Sequence, residues 1–188
     1  DLHSFPTRRS SDLLKKERDT MLIRIAGTVS ESIVDGPGIR YTIFTQGCPH
    51  HCEGCHNPET HDFSGGRLAD TDKIYNHIAE NPLLKGVTFS GGEPFCQPAP
   101  LYDLAKRIKE NTKLDIMAYT GFTFEQLIEK SKTDEDVKNL LSVVDILVDG
   151  KFILAQRSLE LHFKGSRNQR IIDCKKSLET GNVVIKEL

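Results

Sequence analysis

The chain has 188 residues, of which 37% are hydrophobic and 28% charged, and its formal net charge is −2. That length suits one domain with a core of its own, and the charge balance argues against a nucleic-acid partner. No apolar run approaches a membrane span, and five cysteines, an odd number, do not read as a secreted disulfide framework, so a cytoplasmic setting is expected.

Residues 1–20 are polar, with Arg8-Arg9-Ser10-Ser11 and Lys15-Lys16-Glu17-Arg18, and lack the apolar middle of a secretory signal. His3 to Leu13 resembles translated sequencing-adapter DNA. Residues 1–20 therefore read as a non-native or disordered leader, with a basic transit peptide as the alternative, and 21–188 as the domain.

Leu22 to Ala26 alternates and predicts a short strand. Val34-Asp35-Gly36-Pro37-Gly38-Ile39-Arg40 is a glycine–proline loop, and Tyr41 to Thr45 is a second strand running into Gly47 and Cys48. A helix from about Thr71 places Ile74 and Ile78 one turn apart before Asn81-Pro82 stops it. Gly86 to Ser90 is a strand ending in Gly91-Gly92-Glu93-Pro94. Leu101, Leu104, Ala105 and Ile108 then follow helical spacing. A strand over Asp115–Tyr119 leads into Thr120-Gly121, and Thr123 with Gln126 forms a capping box for the next helix. Val137, Leu140, Leu141 and Val144 mark another helix, and Asp145 to Val148 a strand that enters Asp149-Gly150-Lys151. Shorter strands are expected at Gln169–Ile172 and Asn182–Ile185.

Strands alternating with helices predict an α/β fold with a parallel sheet, in which ligands bind at the C-terminal strand ends. The cysteines, Gly91-Gly92-Glu93-Pro94, Thr120-Gly121 and Asp149-Gly150-Lys151 all fall there and are expected to surround one site.

Cys48, Cys52 and Cys55 are spaced C-x3-C-x2-C, and soft thiolates select zinc, copper or iron–sulfur clusters. His56 could complete a tetrahedral zinc site, but it adjoins Cys55, and zinc ligands usually come as separated pairs. A cluster normally takes four cysteines; held by three, it keeps one iron open for something other than protein. Both readings stand on spacing alone.

The cysteine spacing after a strand, joined to Gly91-Gly92-Glu93-Pro94 after the next, resembles the radical S-adenosylmethionine superfamily. That resemblance implies an open, partial parallel βα barrel. Cys48, Cys52 and Cys55 would hold a 4Fe–4S cluster, and S-adenosylmethionine would chelate the open iron and be cleaved reductively to a 5′-deoxyadenosyl radical. A narrower resemblance rests on the Val34–Arg40 loop, Gln46-Gly47-Cys48, Cys55-His56-Asn57, Leu147 to Phe152 and Gly165-Ser166-Arg167-Asn168-Gln169-Arg170. These motifs are similar to those of the activating proteins of anaerobic ribonucleotide reductase, which leave a glycyl radical on their partner. Pyruvate formate-lyase activators are close relatives.

The resemblance implies that Gly54, Cys55 and His56 contact S-adenosylmethionine and that Gly91, Gly92 and Glu93 receive its ammonium. Asp149 and Lys151 would lie near its carboxylate and an associated cation. A flavodoxin or similar low-potential donor is implied as well. Two departures stand out: Gly54 replaces an aromatic residue that packs on the adenine, and Ala118 replaces an acidic one near the cation. Alternatives are a radical enzyme with another target, such as pyruvate formate-lyase or a deazaguanine precursor, and a zinc-stabilised binding module without catalysis. Among the remaining residues, Cys96 reads as a semi-buried thiol, Cys174 as incidental, and His50 and His51 as solvated loop histidines. His77 and His162 read as surface or packing residues. The Arg40 loop is a turn, with Arg40 a candidate contact to the cluster region.

Overall fold

The computed structural model describes residues 20–188, so the leader expected over residues 1–20 lies, but for Thr20, outside the described residues. Seven strands form one sheet in the order β3-β1-β2-β4-β5-β6-β7. They are β1 (Leu22–Ser32), β2 (Arg40–Thr45), β3 (Arg67–Asp70), β4 (Gly86–Gly91), β5 (Asp115–Tyr119), β6 (Ile146–Asp149) and β7 (Arg170–Asp173). The helices are α1 (Thr71–Ala79), α2 (Pro98–Asn111), α3 (Phe124–Ser131), α4 (Glu135–Val143) and α5 (Cys174–Thr180).

The expected parallel sheet is its centre: β2, β4, β5 and β6 run parallel in successive register. The flanks depart from it. β1 pairs antiparallel with both β2 and β3, and β7 runs antiparallel to β6. The edges β3 and β7 do not meet, which leaves the barrel open, as expected. No helix among the described residues is long and apolar enough to cross a membrane.

Alternation within each strand divides the sheet into two faces. Ile43, Val87, Phe89, Ile116, Ala118 and Leu147 face the helices, where Leu101, Leu104, Ile108, Leu127 and Leu140 complete the main core. The other face keeps a smaller cluster of Met117, Ile146 and Val148, with Tyr119, Phe163 and Ile171 packed against it. Its floor is filled by Arg40, which is 0% exposed. Its guanidinium donates to Thr88 Oγ1 at 2.7 Å, to Val87 O at 3.0 Å, to Pro37 O at 3.2 Å and to Asp115 Oδ1 at 2.5 Å. Arg40 opens β2 and Asp115 opens β5, so this network lies at the opposite end of the strands from the cysteines. Arg40 is a structural plug there and makes no contact with the cysteine loop.

The local signals act as expected where they are strong. Asp70 caps α1 by accepting from the amides of Asp72 and Lys73, and both halves of the Thr123–Gln126 capping box are formed. The stretch Asn182–Ile185 makes a single bridge, Ile172 to Ile185, rather than a strand. Cys174 is fully buried at the start of α5, its thiol donating to Leu141 O at 3.5 Å, so it belongs to the core.

Candidate functional site

The loop after β2 is shaped by backbone bonds to the segment that follows the cysteines. Gly47 N donates to Thr60 O at 2.8 Å and Cys48 N to His61 O at 3.1 Å. Gln46 Nε2 clamps the same segment, donating to Glu59 O at 3.0 Å and Asp62 O at 2.6 Å. The chain thereby folds back so that all three cysteines line one cavity of about 110 Å³. Gly91, Gly92, Thr120, Gly121 and Gly150 line it too, so the four loops do surround one site. A larger cavity of about 630 Å³ adjoins it inside the open barrel, sharing Cys55, Gly91, Tyr119, Phe152 and Gln169.

Gly91 and Gly92 are required by the chain itself. A Cβ on Gly91 (φ +87°) would meet Phe44 Cα at 2.6 Å, and one on Gly92 would meet Gly47 O at 2.4 Å. The close approach these glycines permit is to the strand and loop carrying the cysteines. The next residue, Glu93, is fully buried. Its carboxylate accepts from Thr120 Oγ1 at 2.9 Å, Gly121 N at 2.9 Å and Phe95 N at 3.0 Å, and lies 2.8 Å from His50 Nε2. With so many partners it stiffens the turn, tying β4's end to β5's end and to the cysteine loop, rather than reaching into the cavity. His50 is correspondingly no solvated loop residue: its side chain is 7% exposed and its ring packs edge-on to Phe122.

Other expected positions move. Asp149, 1% exposed, accepts from Phe124 N at 2.7 Å and from Arg170 Nε at 3.0 Å, with Arg170 Nη2 bonded as well. It and the exposed Lys151 line a separate cavity with Arg170 and Glu125, so the structure does not bring this pair to the cysteines. Gly54 (φ +69°) lies under Leu154, whose Cδ1 a Cβ would meet at 2.9 Å. Ala118 faces the helices, and a side chain there points away from the site; its neighbour Tyr119 faces the cavities. His56 lines the larger cavity, its ring 5.0 Å from that of Phe152.

The donor set suits a cluster better than one ion. A tetrahedral zinc needs its sulfurs about 2.3 Å from a single point, and among the described residues no three His, Cys, Asp or Glu side chains gather in that way. A cluster takes each thiolate on a different iron and so accepts thiols spread around a cavity. His56, the fourth ligand of the zinc reading, is not on the cysteine cavity. The Cys48 thiol is pushed up chiefly by burial, then by the Glu93 carboxylate, against the backbone amides of His50 and His51. Cys96, expected to be semi-buried, is exposed, and desolvation of its thiol followed by the Glu93 carboxylate pushes it up to about 11. Asn57 N donates to Cys55 Sγ at 3.5 Å. His61 lines the same cavity, and its buried Nε2 has no hydrogen-bond partner among the described residues. His61 and Tyr119 were not expected at the site, and Phe152 and Gln169 entered the sequence analysis only as members of the family motifs.

Comparison with known proteins agrees with this donor set. The family model of the 4Fe-4S single cluster domain matches residues 34–172. The chain is similar to the anaerobic ribonucleoside-triphosphate reductase-activating protein of Vibrio cholerae, at 38% identity over 147 residues, covering 74% of this chain and 90% of that protein. It is also similar to the pyruvate formate-lyase-activating enzyme of Clostridium pasteurianum, at 37% identity over 56% of this chain and 48% of that enzyme. The crystal structure of QueE from Escherichia coli overlaps 54% of this chain and 53% of its own, with a TM-score of 0.43 and 18% identity. By the span of the family model and by the coverage of the Vibrio cholerae relative, the chain belongs to the 4Fe-4S single cluster domain family and, within it, to the anaerobic ribonucleoside-triphosphate reductase-activating proteins.

Proposed function

We propose that this chain activates an anaerobic ribonucleotide reductase by generating a glycyl radical on it. The observation that carries the reading is the pair of adjoining cavities: three cysteines around the small one, and beside it a larger one open to solvent within the barrel. Cys48, Cys52 and Cys55 would hold the 4Fe–4S cluster. When bound, the cluster and S-adenosylmethionine supply a 5′-deoxyadenosyl radical that can take a hydrogen atom from a glycine Cα.

The chain's own residues then have positional tasks. Gly91 and Gly92 present backbone to the methionyl end, while Glu93 holds that backbone rigid from behind. Cys55 lies where the two cavities meet, and His56 lines the larger one. Phe152, which lines both cavities, and Tyr119 supply the aromatic surface that Gly54 does not. Tyr119 is fixed for this by donating from its hydroxyl to Phe163 O at 3.0 Å, and burial keeps that hydroxyl protonated. Phe44, Phe152, Leu161 and Phe163 make the larger cavity apolar enough to limit water around a reactive carbon radical. A low-potential donor such as flavodoxin would deliver the electron.

Relatives named for the reductase are matched over 90% of their length and the formate-lyase relative over 48%, which favours the reductase as target. The test is anaerobic reconstitution, reduction and addition of S-adenosylmethionine, with and without the reductase. Cleavage of S-adenosylmethionine together with a glycyl-radical EPR doublet on the reductase is expected. Cleavage with no doublet on the reductase would point to another target, and a colourless zinc protein would return the chain to the binding modules.

A further inference from the structure

Among the described residues, two buried side-chain polar atoms lack a hydrogen-bond partner, Thr42 Oγ1 and His61 Nε2. Buried polar groups are almost always satisfied, so each such atom calls for an explanation. Thr42 sits mid-strand on β2. His61 is different, because it lines the cavity of Cys48, Cys52 and Cys55.

The backbone that carries the ring is fixed on both sides. Its own carbonyl accepts from Cys48 N at 3.1 Å, and its amide donates to Pro58 O at 3.2 Å. The ring meets that of His51 edge-on at 5.0 Å. Neighbouring histidines are committed elsewhere, His50 to Glu93 and His56 to Phe152 in the larger cavity. His61 therefore lines the cysteine cavity and carries a ring nitrogen with no hydrogen-bond partner among the described residues.

We propose that His61 Nε2–H donates a hydrogen bond to a sulfur of the cluster or of its cysteine ligands, and thereby raises the cluster's reduction potential. The inference rests on the cysteines holding a cluster, as in the function proposed above. Hydrogen bonds to the sulfurs are among the determinants of cluster potential. Reduction adds negative charge to the sulfurs, so a donated hydrogen bond stabilises the reduced state more than the oxidised one. His61 would thus make the cluster easier for its donor to reduce, acting from outside the ligand set.

The test compares the parent with His61→Phe and His61→Gln, each reconstituted without oxygen, assayed for iron and titrated by EPR in the absence of S-adenosylmethionine. In His61→Phe, the reduced-to-oxidised ratio at the parent's midpoint should fall at least threefold, while His61→Gln, which keeps an N–H, should stay near the parent. An unchanged ratio in fully loaded His61→Phe overturns the proposal. Should His61→Phe not retain iron, pulsed EPR of the parent grown with ¹⁵N-histidine decides. A ¹⁵N coupling to the reduced cluster that disappears in His61→Gln supports the proposal, and its absence from the parent, or its persistence in His61→Gln, overturns it. A parent that binds no cluster would overturn the proposed function as well, whereas a parent that cleaves S-adenosylmethionine with no effect of His61 would overturn this inference alone.

Discussion

Glu93 and Cys52 belong to the same group of loops and answer to different physics. The Glu93 carboxylate is fully buried and satisfied by Thr120, Gly121, Phe95 and His50. Removing it leaves several buried donors unpaired, so Glu93→Ala should lower stability by about 3 kcal/mol in urea unfolding of the iron-free protein. Cys52 is half-buried and anchors nothing by its side chain. Cys52→Ala should change iron-free stability by less than about 1 kcal/mol, yet abolish cluster binding by iron analysis. The three cysteines and the Gly-Gly-Glu turn were legible in the sequence because their meaning lies in spacing. His50 and His61 were not, because their burial depends on Gly47 and Cys48 bonding to carbonyls more than a dozen residues along the chain. The role of Glu93 was legible only by half: its sequence position says where the turn lies, and only tertiary packing says which way its carboxylate points.

Elements with strong local signals matched expectation, as did the short strand expected at Gln169–Ile172, while other weak ones did not. α1 and α3 carry side-chain caps, α2 has helical spacing, and the four parallel strands are runs of β-forming residues. β3, Arg-Leu-Ala-Asp, has neither the length nor the composition of a strand and exists because β1 offers it an edge. The direction of β1 was equally hidden, since alternation is the same in either orientation. α5 is seven residues long, and its cap, Asp173, also ends β7. Between β6 and β7 lies the ion group of Asp149, Arg170 and Glu125. Arg170→Ala strips the buried Asp149 of its charged partner and should cost about 3–5 kcal/mol. The hydrogen bond from Arg170 also holds the Glu125 carboxyl down to about 2 from 4.5. A depressed pKa in the folded state means that this contribution is present above about pH 4.5 and is lost as pH falls toward 2. The solvent-facing position of Glu125 keeps it small. Glu125→Gln should therefore slightly lower stability above about pH 4.5, neutrality included, and flatten the acid limb of the stability–pH curve between those values.

At the scale of the molecule, the open sheet separates stability from function. The main core lies between the sheet and its helices, while the concave face is only partly filled, by Arg40 at its floor and a small apolar cluster. A ligand entering that face binds the folded chain and not the unfolded one, so it must stabilise the fold. S-adenosylmethionine at a hundred times its Kd should raise the melting midpoint of the cluster-loaded protein by roughly 5–10 °C, and calorimetry showing no shift would count against binding. The strand β1 has a further consequence. Its ladder with β3 ends at Ile25, and beyond that point its outer edge has no strand partner among the described residues. Free backbone of this kind invites another chain to add itself, the usual beginning of intermolecular β aggregation. Two irregularities of register interrupt β1, at Ile25/Gly27 and Val29/Ser32, and the exposed Glu31 sits within the second, held by a hydrogen bond from Asn81. A bulged edge bearing a charge is a poor template for pairing, so the same distortions that end regular pairing along β1 also guard the protein against clumping with itself.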